Sequence, residues 1–422
     1  MPFLTELDER AEVKGSSDPL GLMALWSRFG REVVGNLTTV SNSVRGFTTL
    51  LIGHHLADLL REQLRGEAPT PLDTFIKFEQ LCGYARVRKY ADTSVRGYRR
   101  ASRRLNELRR IPISTDFADQ ILSSQKIGGL WGLFTVPARS SGLVEPGDVR
   151  LTDVAHDFVQ RHYFPMLGGN AGVNALLGLL QRESFLLEPT RRHEALLDSL
   201  ARVHARRLRA DERAFYREHL VWGGTSDPTN GRQRQMADIL LSIDTDEFGF
   251  PEFRQVQKRA RVHEGLAASL ERIAHVERLI APAALLFSFL QERHNQAVGA
   301  VARQIEETWQ RPLRLDLDVY PGLQPEFAST SSVAEAGQWL NLARAFAAAD
   351  YAQVIELLVD LNTRVMLRRN GGDAWIAIEN GCIRVRRLDE RGELLPVAEA
   401  EDLWRSTYFI NSLWNVAHEV EA

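Results

Sequence analysis

The stretch that decides the fold is DPLGLMALWSRFGREVVGNLTTVSNSVRGFTTLLIGHHLADLLREQLR, residues 18–65. Its apolar side chains recur at spacings of three and four residues, which is the period of an amphipathic helix. Asp18 followed by Pro19 is typical of a helix start, because aspartate caps a first turn and proline suits its first position. The stretch predicts helices, and since this period dominates the sequence we expect a mainly α, multi-helical fold.

Outward from this stretch, the sequence predicts further helices separated by breaks rich in glycine and proline. A helical unit at 72–110 ends near Ile111-Pro112, and the polar cluster Ser114–Asp116 predicts a capped helix over 115–125. Helices continue from 171 to about 310, with breaks at 222–228 and 244–251.

The last hundred residues predict a small mixed α/β region. Residues 313–319, LRLDLDV, alternate like a strand with one polar face, and Asn380-Gly381 predicts a hairpin turn between short strands at 374–378 and 383–388. Helices are expected at 333–348, 350–368 and 400–419. The domains expected from these breaks are 1–112, helical; 113–168, described below; 169–312, helical; and 313–422, mixed α/β.

The charge balance excludes a globally basic protein, because the 422 residues carry a formal net charge of −3. Any attraction to nucleic acid must therefore be local. Of the 52 basic residues 47 are arginines, whose guanidinium fork suits phosphates and base edges. Cys82 and Cys382 have no neighbouring His or Cys at metal-ligand spacing, so neither a disulfide scaffold nor a zinc site is expected.

The sequence also bears on localisation. Residues 1–10 lack the basic start and apolar core of a signal peptide. The uncharged stretch Tyr163–Gln181 is long enough to span a bilayer, but it contains Pro165 and four glycines, which favours a buried helix–loop–helix. We therefore expect a cytoplasmic protein with no membrane partner.

The strongest local signal lies between Arg86 and Arg110, a stretch that contains ten basic residues and only two acidic ones, Asp92 and Glu107. Five of the arginines have helical offsets of 0, 3, 4, 7 and 8, which would place them on one helix face: Arg96, Arg99, Arg100, Arg103 and Arg104. Like charges at these spacings repel unless an anion lies across them. The pattern favours binding to nucleic-acid phosphates, with a solvated face, or one neutralised by carboxylates of neighbouring helices, as the alternative.

Directly downstream, the sequence predicts a helix and then a second helix that ends in Ser141-Gly-Leu-Val144. A short hairpin follows, and Arg150-Leu-Thr152 then opens a third helix. This order, at about 115–165, resembles winged-helix domains. The resemblance implies a helix in the DNA major groove and a hairpin wing on the backbone, with Arg139, Ser140 and Ser141 near the groove and Arg150 beside the wing. Winged helices also serve as protein-interaction modules.

No catalytic constellation is recognisable. The sequence has no Gly-Lys dipeptide, which excludes a Walker-type phosphate loop, and no His-Glu-x-x-His, Cys-x-x-Cys, Gly-x-Ser-x-Gly or Rossmann glycine fingerprint. Arg213 and His219 have the Arg-x5-His spacing of helical ribonucleases, in which these two side chains act on the 2′-OH and phosphate. A ribonuclease therefore remains an alternative to a non-catalytic role.

Three weaker candidates concern metal binding. Asp316 and Asp318 could hold Mg²⁺ or Mn²⁺ as paired carboxylates, although exposed Asp pairs are usual on alternating strands. Glu12-Val13-Lys14 is the single match to the end of a metal-dependent nuclease triad. His54-His55 lies in an apolar helix, where a buried pair is expected rather than a ligand site. We expect no metal and no cofactor.

Four segments together resemble a group of uncharacterised bacterial proteins encoded in phage-defence islands: Asp18–Leu22, Asn36–Phe47, Gln125–Arg139 and Tyr408–Ile410. The resemblance implies an accessory subunit that works beside an ATPase, helicase or nuclease. The function expected from the sequence is therefore a non-catalytic, nucleic-acid-engaging subunit of an anti-phage complex, with DNA preferred over RNA. A pure protein–protein scaffold is the second hypothesis.

Overall fold

Helices dominate the computed structural model of the chain, which describes residues 18–64, 68–245, 248–330, 333–368, 373–388 and 392–422. The mainly α prediction is confirmed. The helices of the first half are α1 (Leu22–Gly30), α2 (Val44–Leu64), α3 (Pro71–Tyr90), α4 (Tyr98–Glu107), α5 (Gln125–Gly128), α6 (Leu130–Ser140), α7 (Asp153–Phe158), α8 (Gly169–Leu180), α9 (Glu194–Val203), α10 (Ala210–Tyr216) and α11 (Arg232–Leu241).

The second half continues with α12 (Phe250–Ala260), α13 (Glu264–Leu290), α14 (Val298–Trp309), α15 (Tyr320–Thr330), α16 (Val333–Ala347), α17 (Tyr351–Arg368), α18 (Val397–Glu401) and α19 (Ile410–Glu421). π-Helical turns at Val159–Tyr163 and Arg217–Val221 extend α7 and α10. Two antiparallel sheets of two strands each complete the fold: β1 (Ile111–Ile113) with β2 (Phe185–Leu187), and β3 (Ile376–Glu379) with β4 (Cys382–Val385).

The described residues divide into two compact units. The 34–248 unit comprises the described part of Val34–Phe248 with Phe409–Ala422, and the 249–408 unit comprises the described part of Gly249–Tyr408 with that of Met1–Val33. Each unit joins segments from distant parts of the chain, whereas the sequence predicts four consecutive domains.

The centre of the 34–248 unit is α2. Every side chain from Val44 to Ala57 is buried, because other elements surround the helix on all sides. Its first turn is capped from the far end of the sequence, since the backbone N–H of Val44 donates to the Glu419 carboxylate of α19 at 2.9 Å. The next helix, α3, packs on α2 and begins with a Thr70 cap followed by Pro71.

The centre of the 249–408 unit is α13. It is the one described helix that is long and apolar enough to cross a bilayer, and 78% of its most apolar window is buried inside the protein. The β3–β4 hairpin turns at Asn380 (φ 53°) and Gly381 (φ 74°), so the predicted hairpin is confirmed. The predicted helices at 333–348 and 350–368 are confirmed as α16 and α17.

Two predicted elements are wrong. Residues 115–124 form turns instead of a helix, with the Ser114 hydroxyl accepting from the backbone N–H of Asp116. Residues 313–319 form no strand, because no described segment pairs with them and the N–H of Arg314 donates to Glu401 instead. The predicted closing helix is two helices, α18 and α19, while the break expected within 163–181 is confirmed between Tyr163 and α8.

Burial of His54 predicts that the stability of the 34–248 unit depends on pH. Burial, with the nearby Arg139 charge, lowers the pKa of His54 from 6.5 to about 3. The folded state therefore keeps His54 neutral, while the unfolded state binds a proton below about pH 6.5, so stability is lost as the pH falls through that value. We expect the loss between pH 7 and pH 5 to be about 2 kcal/mol smaller in His54→Phe than in the wild type.

Urea unfolding of both proteins at the two pH values measures this difference. Phenylalanine suits the site, whose neighbours are the rings of Phe75 and Trp131 at 5.5 and 4.9 Å from the His54 ring. An equal pH-dependent loss in the two proteins would show that His54 does not titrate on unfolding.

Candidate nucleic-acid interface

The arginine-rich helix α4 is short, and nine of its ten residues are exposed or half-buried. Its start is fixed by Gly97, whose φ of +83° favours glycine and whose added Cβ would lie 2.4 Å from the Ile121 carbonyl oxygen. Only Ala101 of this helix is buried. The close approach of Gly97 places the first turn of α4 directly against the segment 114–124.

Two of the five predicted arginines, both in α4, point inward. Nη1 of Arg100 donates to the carbonyl oxygens of Gln120 and Leu122 at 2.9 and 3.1 Å. The guanidinium of Arg104 donates to the carbonyl oxygens of Ala118 and Asp119 and to the Tyr84 hydroxyl. Because residues 115–124 are not helical, their carbonyls need donors from elsewhere, and Arg100 and Arg104 supply them.

The other three predicted arginines are exposed, but only two lie in the helix. Arg96 precedes the Gly97 cap, and its Nε donates to the Gly128 carbonyl oxygen at 2.7 Å. Arg99 and Arg103 lie one turn apart on the solvent side of α4. Glu107 is 4.0 Å from Nε of Arg103, and Arg99 has no ion pair with any residue of the described ranges.

The predicted face of five equivalent arginines is therefore wrong. The offsets 0, 3, 4, 7 and 8 describe one continuous helix, whereas α4 begins only at Tyr98 and its arginines divide between two sides. Backbone carbonyls, rather than carboxylates, hold Arg96, Arg100 and Arg104. Arg99 and Arg103 form what we call the α4 arginine pair.

Because Arg104 points inward and Arg103 is exposed, substitution of each by alanine should change the free energy of unfolding by different amounts. Arg104→Ala removes a charged donor from two carbonyls and a hydroxyl. It should lower the free energy of unfolding by about 2–3 kcal/mol. Arg103→Ala, in the same helix but exposed, should change it by less than about 0.5 kcal/mol. Urea unfolding of the two variants makes the comparison, and equal effects would contradict the inward role of Arg104.

The winged-helix prediction is not confirmed. The first of its helices is absent, although the hairpin forms through the isolated bridge between Val144 and Leu151. Arg139, expected near a DNA groove, donates instead to the Asp148 carbonyl oxygen inside the hairpin. Arg150 is exposed and pairs with Asp148 at 2.6 Å.

The two serines predicted near a groove, Ser140 and Ser141, differ in burial. Ser141 is buried, and its hydroxyl donates to the Pro137 carbonyl and accepts from the Asn36 amide at 3.0 Å. Ser140 is half-buried. The prediction that Ser141 approaches DNA is therefore wrong, since Ser141 directly follows α6 and its side chain is fully buried.

The geometry gives the ribonuclease alternative no support. His219 is 5% exposed, its Nδ1 lies 3.2 Å from the Ser141 carbonyl oxygen, and burial lowers its pKa. A buried imidazole has no access to a ribose 2′-OH. Arg213 is half-buried on α10.

A buried polar cluster beside α10 has no counterpart in the sequence predictions. Arg45 forms a 2.6 Å ion pair with Glu212, and both side chains are almost fully buried. The Tyr163 hydroxyl donates to Glu212 at 3.0 Å and meets the Tyr216 hydroxyl at 3.0 Å. Burial alone would raise the pKa of Glu212, but Arg45 and the backbone N–H of Arg209 outweigh it and lower the pKa. The only charged residue within the buried run 44–57 of α2 is Arg45, and this was the available signal for a buried ion pair.

Among the described residues, no three side chains of His, Cys, Asp or Glu lie together as a group that could hold a metal ion. Asp316 and Asp318 lie in an exposed turn, with Asp316 accepting from the N–H of Asp318. His54 and His55 are buried, as expected for a core pair. Glu12-Val13-Lys14 lies outside the described residues.

The candidate interface is thus reduced to the α4 arginine pair, Arg99 and Arg103, with the exposed edge of Arg96 beside it. Arg109 follows the helix and is also exposed, whereas Arg110 pairs with Glu188 at 3.2 Å. Comparison with protein-family models, with curated proteins and with solved structures found no match to this chain.

Proposed function

We propose that this chain is a non-catalytic, nucleic-acid-binding subunit, with duplex DNA preferred over RNA. The observation that carries the proposal is the α4 arginine pair. Two exposed guanidinium groups stand one helical turn apart, and the nearest carboxylate in the described ranges is the one 4.0 Å from Arg103. Like charges at this spacing repel, and a row of phosphates offsets the repulsion.

The spacing of the pair suits a phosphate backbone. Side chains four residues apart on a helix have Cβ atoms about 5–6 Å apart. Duplex DNA carries about one negative charge per 1.7 Å of its axis, so each arginine can meet a separate phosphate. The protein as a whole carries a net charge of −3, so binding must come from this local surface and must weaken with salt.

The inward arginines support this role indirectly. Arg100 and Arg104 fix α4 to residues 118–122, so the helix that carries the α4 arginine pair is held rigidly. A rigid helix loses less conformational entropy when its side chains bind. The role in an assembly, beside an ATPase, helicase or nuclease of an anti-phage defence complex, is supported by the sequence resemblance alone.

Direct binding tests the proposal. The affinity of the full chain for a 20-base-pair duplex, for the single strand and for RNA of the same sequence is measured at 50 and 200 mM NaCl. We expect the duplex to bind best and its affinity to fall by about tenfold or more at the higher salt concentration. An absence of duplex binding at 50 mM NaCl would remove the proposal.

A protein-binding scaffold is the second candidate, and exposed apolar side chains favour it. Phe117, Ile127 and Val136 are 69%, 72% and 57% exposed, and all lie on the segment next to α4 or on α5 and α6. Exposed apolar residues of this size mark interaction surfaces when they form a patch. Co-purification of a partner that survives nuclease treatment, together with no duplex binding, would favour this candidate.

A further inference from the structure

A second basic surface lies in the 249–408 unit, in the groove between α12 and α13. One face of α12, with offsets of 0, 3 and 4, supplies Arg254, Gln257 and Lys258, and Arg261 follows in the turn at the end of the helix. One face of α13, with offsets of 0, 4, 7 and 11, supplies Ala267, Glu271, Ala274 and Arg278. The two alanines leave room between the helices, and the resulting space, which we call the α12–α13 groove, has a volume of about 550 Å³.

The charges around this groove are strongly unbalanced. Four cationic side chains line it against the single carboxylate of Glu271. Arg254 pairs with Asp402 at 2.5 Å. Lys258, Arg261 and Arg278 form no ion pair with any residue in the described part of the chain, and all three are exposed. The lining therefore carries a net positive charge, with cations on both walls and the one lining carboxylate, Glu271, on the α13 wall.

The floor of the groove strengthens this effect. Leu270 lines it and is buried, and the Gln257 amide donates to the Leu270 carbonyl oxygen at 3.4 Å. Charges beside an apolar floor act in a lower effective dielectric than charges on an open surface. An anion in the groove would therefore interact more strongly than one on α4, where the arginines lie on a convex helix.

We infer that the α12–α13 groove binds a compact polyphosphate anion, the chemistry shared by inorganic triphosphate and the phosphate chain of a nucleoside triphosphate. The groove volume falls within the range of about 300–1,000 Å³ typical of small-molecule sites. From Arg254 to Arg261, the residue directly after α12, the groove extends seven residues, about 10 Å at the helical rise, which matches a short chain of phosphates. A duplex is too wide to enter a concave space between two packed helices.

Isothermal titration of the full chain with tripolyphosphate and, separately, with ATP tests the inference. The variant Lys258→Ala/Arg278→Ala removes one cation from each wall. We expect it to bind both anions at least tenfold more weakly than the wild type, which corresponds to about 1.4 kcal/mol. The matched control Arg303→Ala/Arg344→Ala removes two exposed arginines of α14 and α16, outside the groove, and should leave both affinities unchanged.

The arms of the experiment distinguish the sources of the phosphate. Equal affinity for the two anions identifies the phosphate chain alone as the ligand, and tighter binding of ATP identifies a nucleotide; each supports the inference. Absence of binding below 1 mM, or unchanged affinity in Lys258→Ala/Arg278→Ala, overturns it. It is also overturned if Arg99→Glu/Arg103→Glu abolishes tripolyphosphate binding, because the anion would then lie on α4.

Discussion

Arg99→Glu/Arg103→Glu is expected to weaken binding of duplex DNA by at least about 100-fold at 50 mM NaCl, or roughly 2.7 kcal/mol. The substitutions replace two phosphate contacts by two carboxylates that repel phosphate. Both side chains are exposed and hold no element of the fold, so the free energy of unfolding should change by less than about 0.5 kcal/mol. Fluorescence anisotropy of a labelled duplex measures the affinity.

The control for this variant is Arg303→Glu/Arg344→Glu, which changes two exposed arginines of the 249–408 unit. Both double variants take the net charge from −3 to −7, because each of two substitutions removes one positive charge and adds one negative charge. A general electrostatic effect would weaken DNA binding equally in the two variants, and that outcome would contradict a specific role for α4.

Arg45→Met is expected to cost about 3–5 kcal/mol of the free energy of unfolding. It leaves the Glu212 carboxylate buried without its 2.6 Å partner, next to the Tyr163 hydroxyl. The double variant Arg45→Met/Glu212→Gln removes the stranded charge and should recover part of the loss, because glutamine still hydrogen-bonds to Tyr163 and Arg209.

Urea unfolding followed by tryptophan fluorescence measures both changes. If the two charges do not interact, the losses in the free energy of unfolding caused by Arg45→Met and by Glu212→Gln should simply add in the double variant. That result would contradict the ion pair. DNA binding by folded Arg45→Met should be retained, because Arg45 is buried and the α4 arginine pair is not in contact with it.

Local patterns predicted much of the fold. Helices α16 and α17 were predicted within a few residues because their apolar period is regular, and the β3–β4 hairpin was predicted because Asn380-Gly381 is favoured at the two left-handed positions of a tight turn. These elements are formed by contacts close in sequence, so the sequence alone carries their signal.

Elements that depend on distant residues were not predicted. The strands β1 and β2 pair although they are more than 70 residues apart, and Glu419 caps a helix that begins at Val44. The segment 313–319 alternates like a strand but has no partner, and its Arg314 N–H is bound by Glu401. Alternation alone does not make a strand, because the hydrogen bonds of the ladder need a second chain segment.

The difference between contacts that are close in sequence and contacts between distant residues also explains why the candidate interface was only partly predicted. Helical offsets grouped five arginines of residues 96–104, but the sequence does not show that residues 115–124 remain non-helical and attract Arg100 and Arg104. Nor does it show that cations of the α12 segment and Arg278 of α13 line one groove. Periodicity predicts which side chains share a helix face, whereas the role of that face depends on what packs against it.

The salt dependence of DNA binding tests the central claim most directly. The slope of log Kobs against log[NaCl] is measured for the wild type and for Arg99→Ala/Arg103→Ala. Because each phosphate contact contributes about 0.9 to the magnitude of this slope, removal of the α4 arginine pair should reduce it by about 2. Equal slopes for the two proteins would mean that neither arginine contacts a phosphate, and the proposed interface on α4 would be wrong.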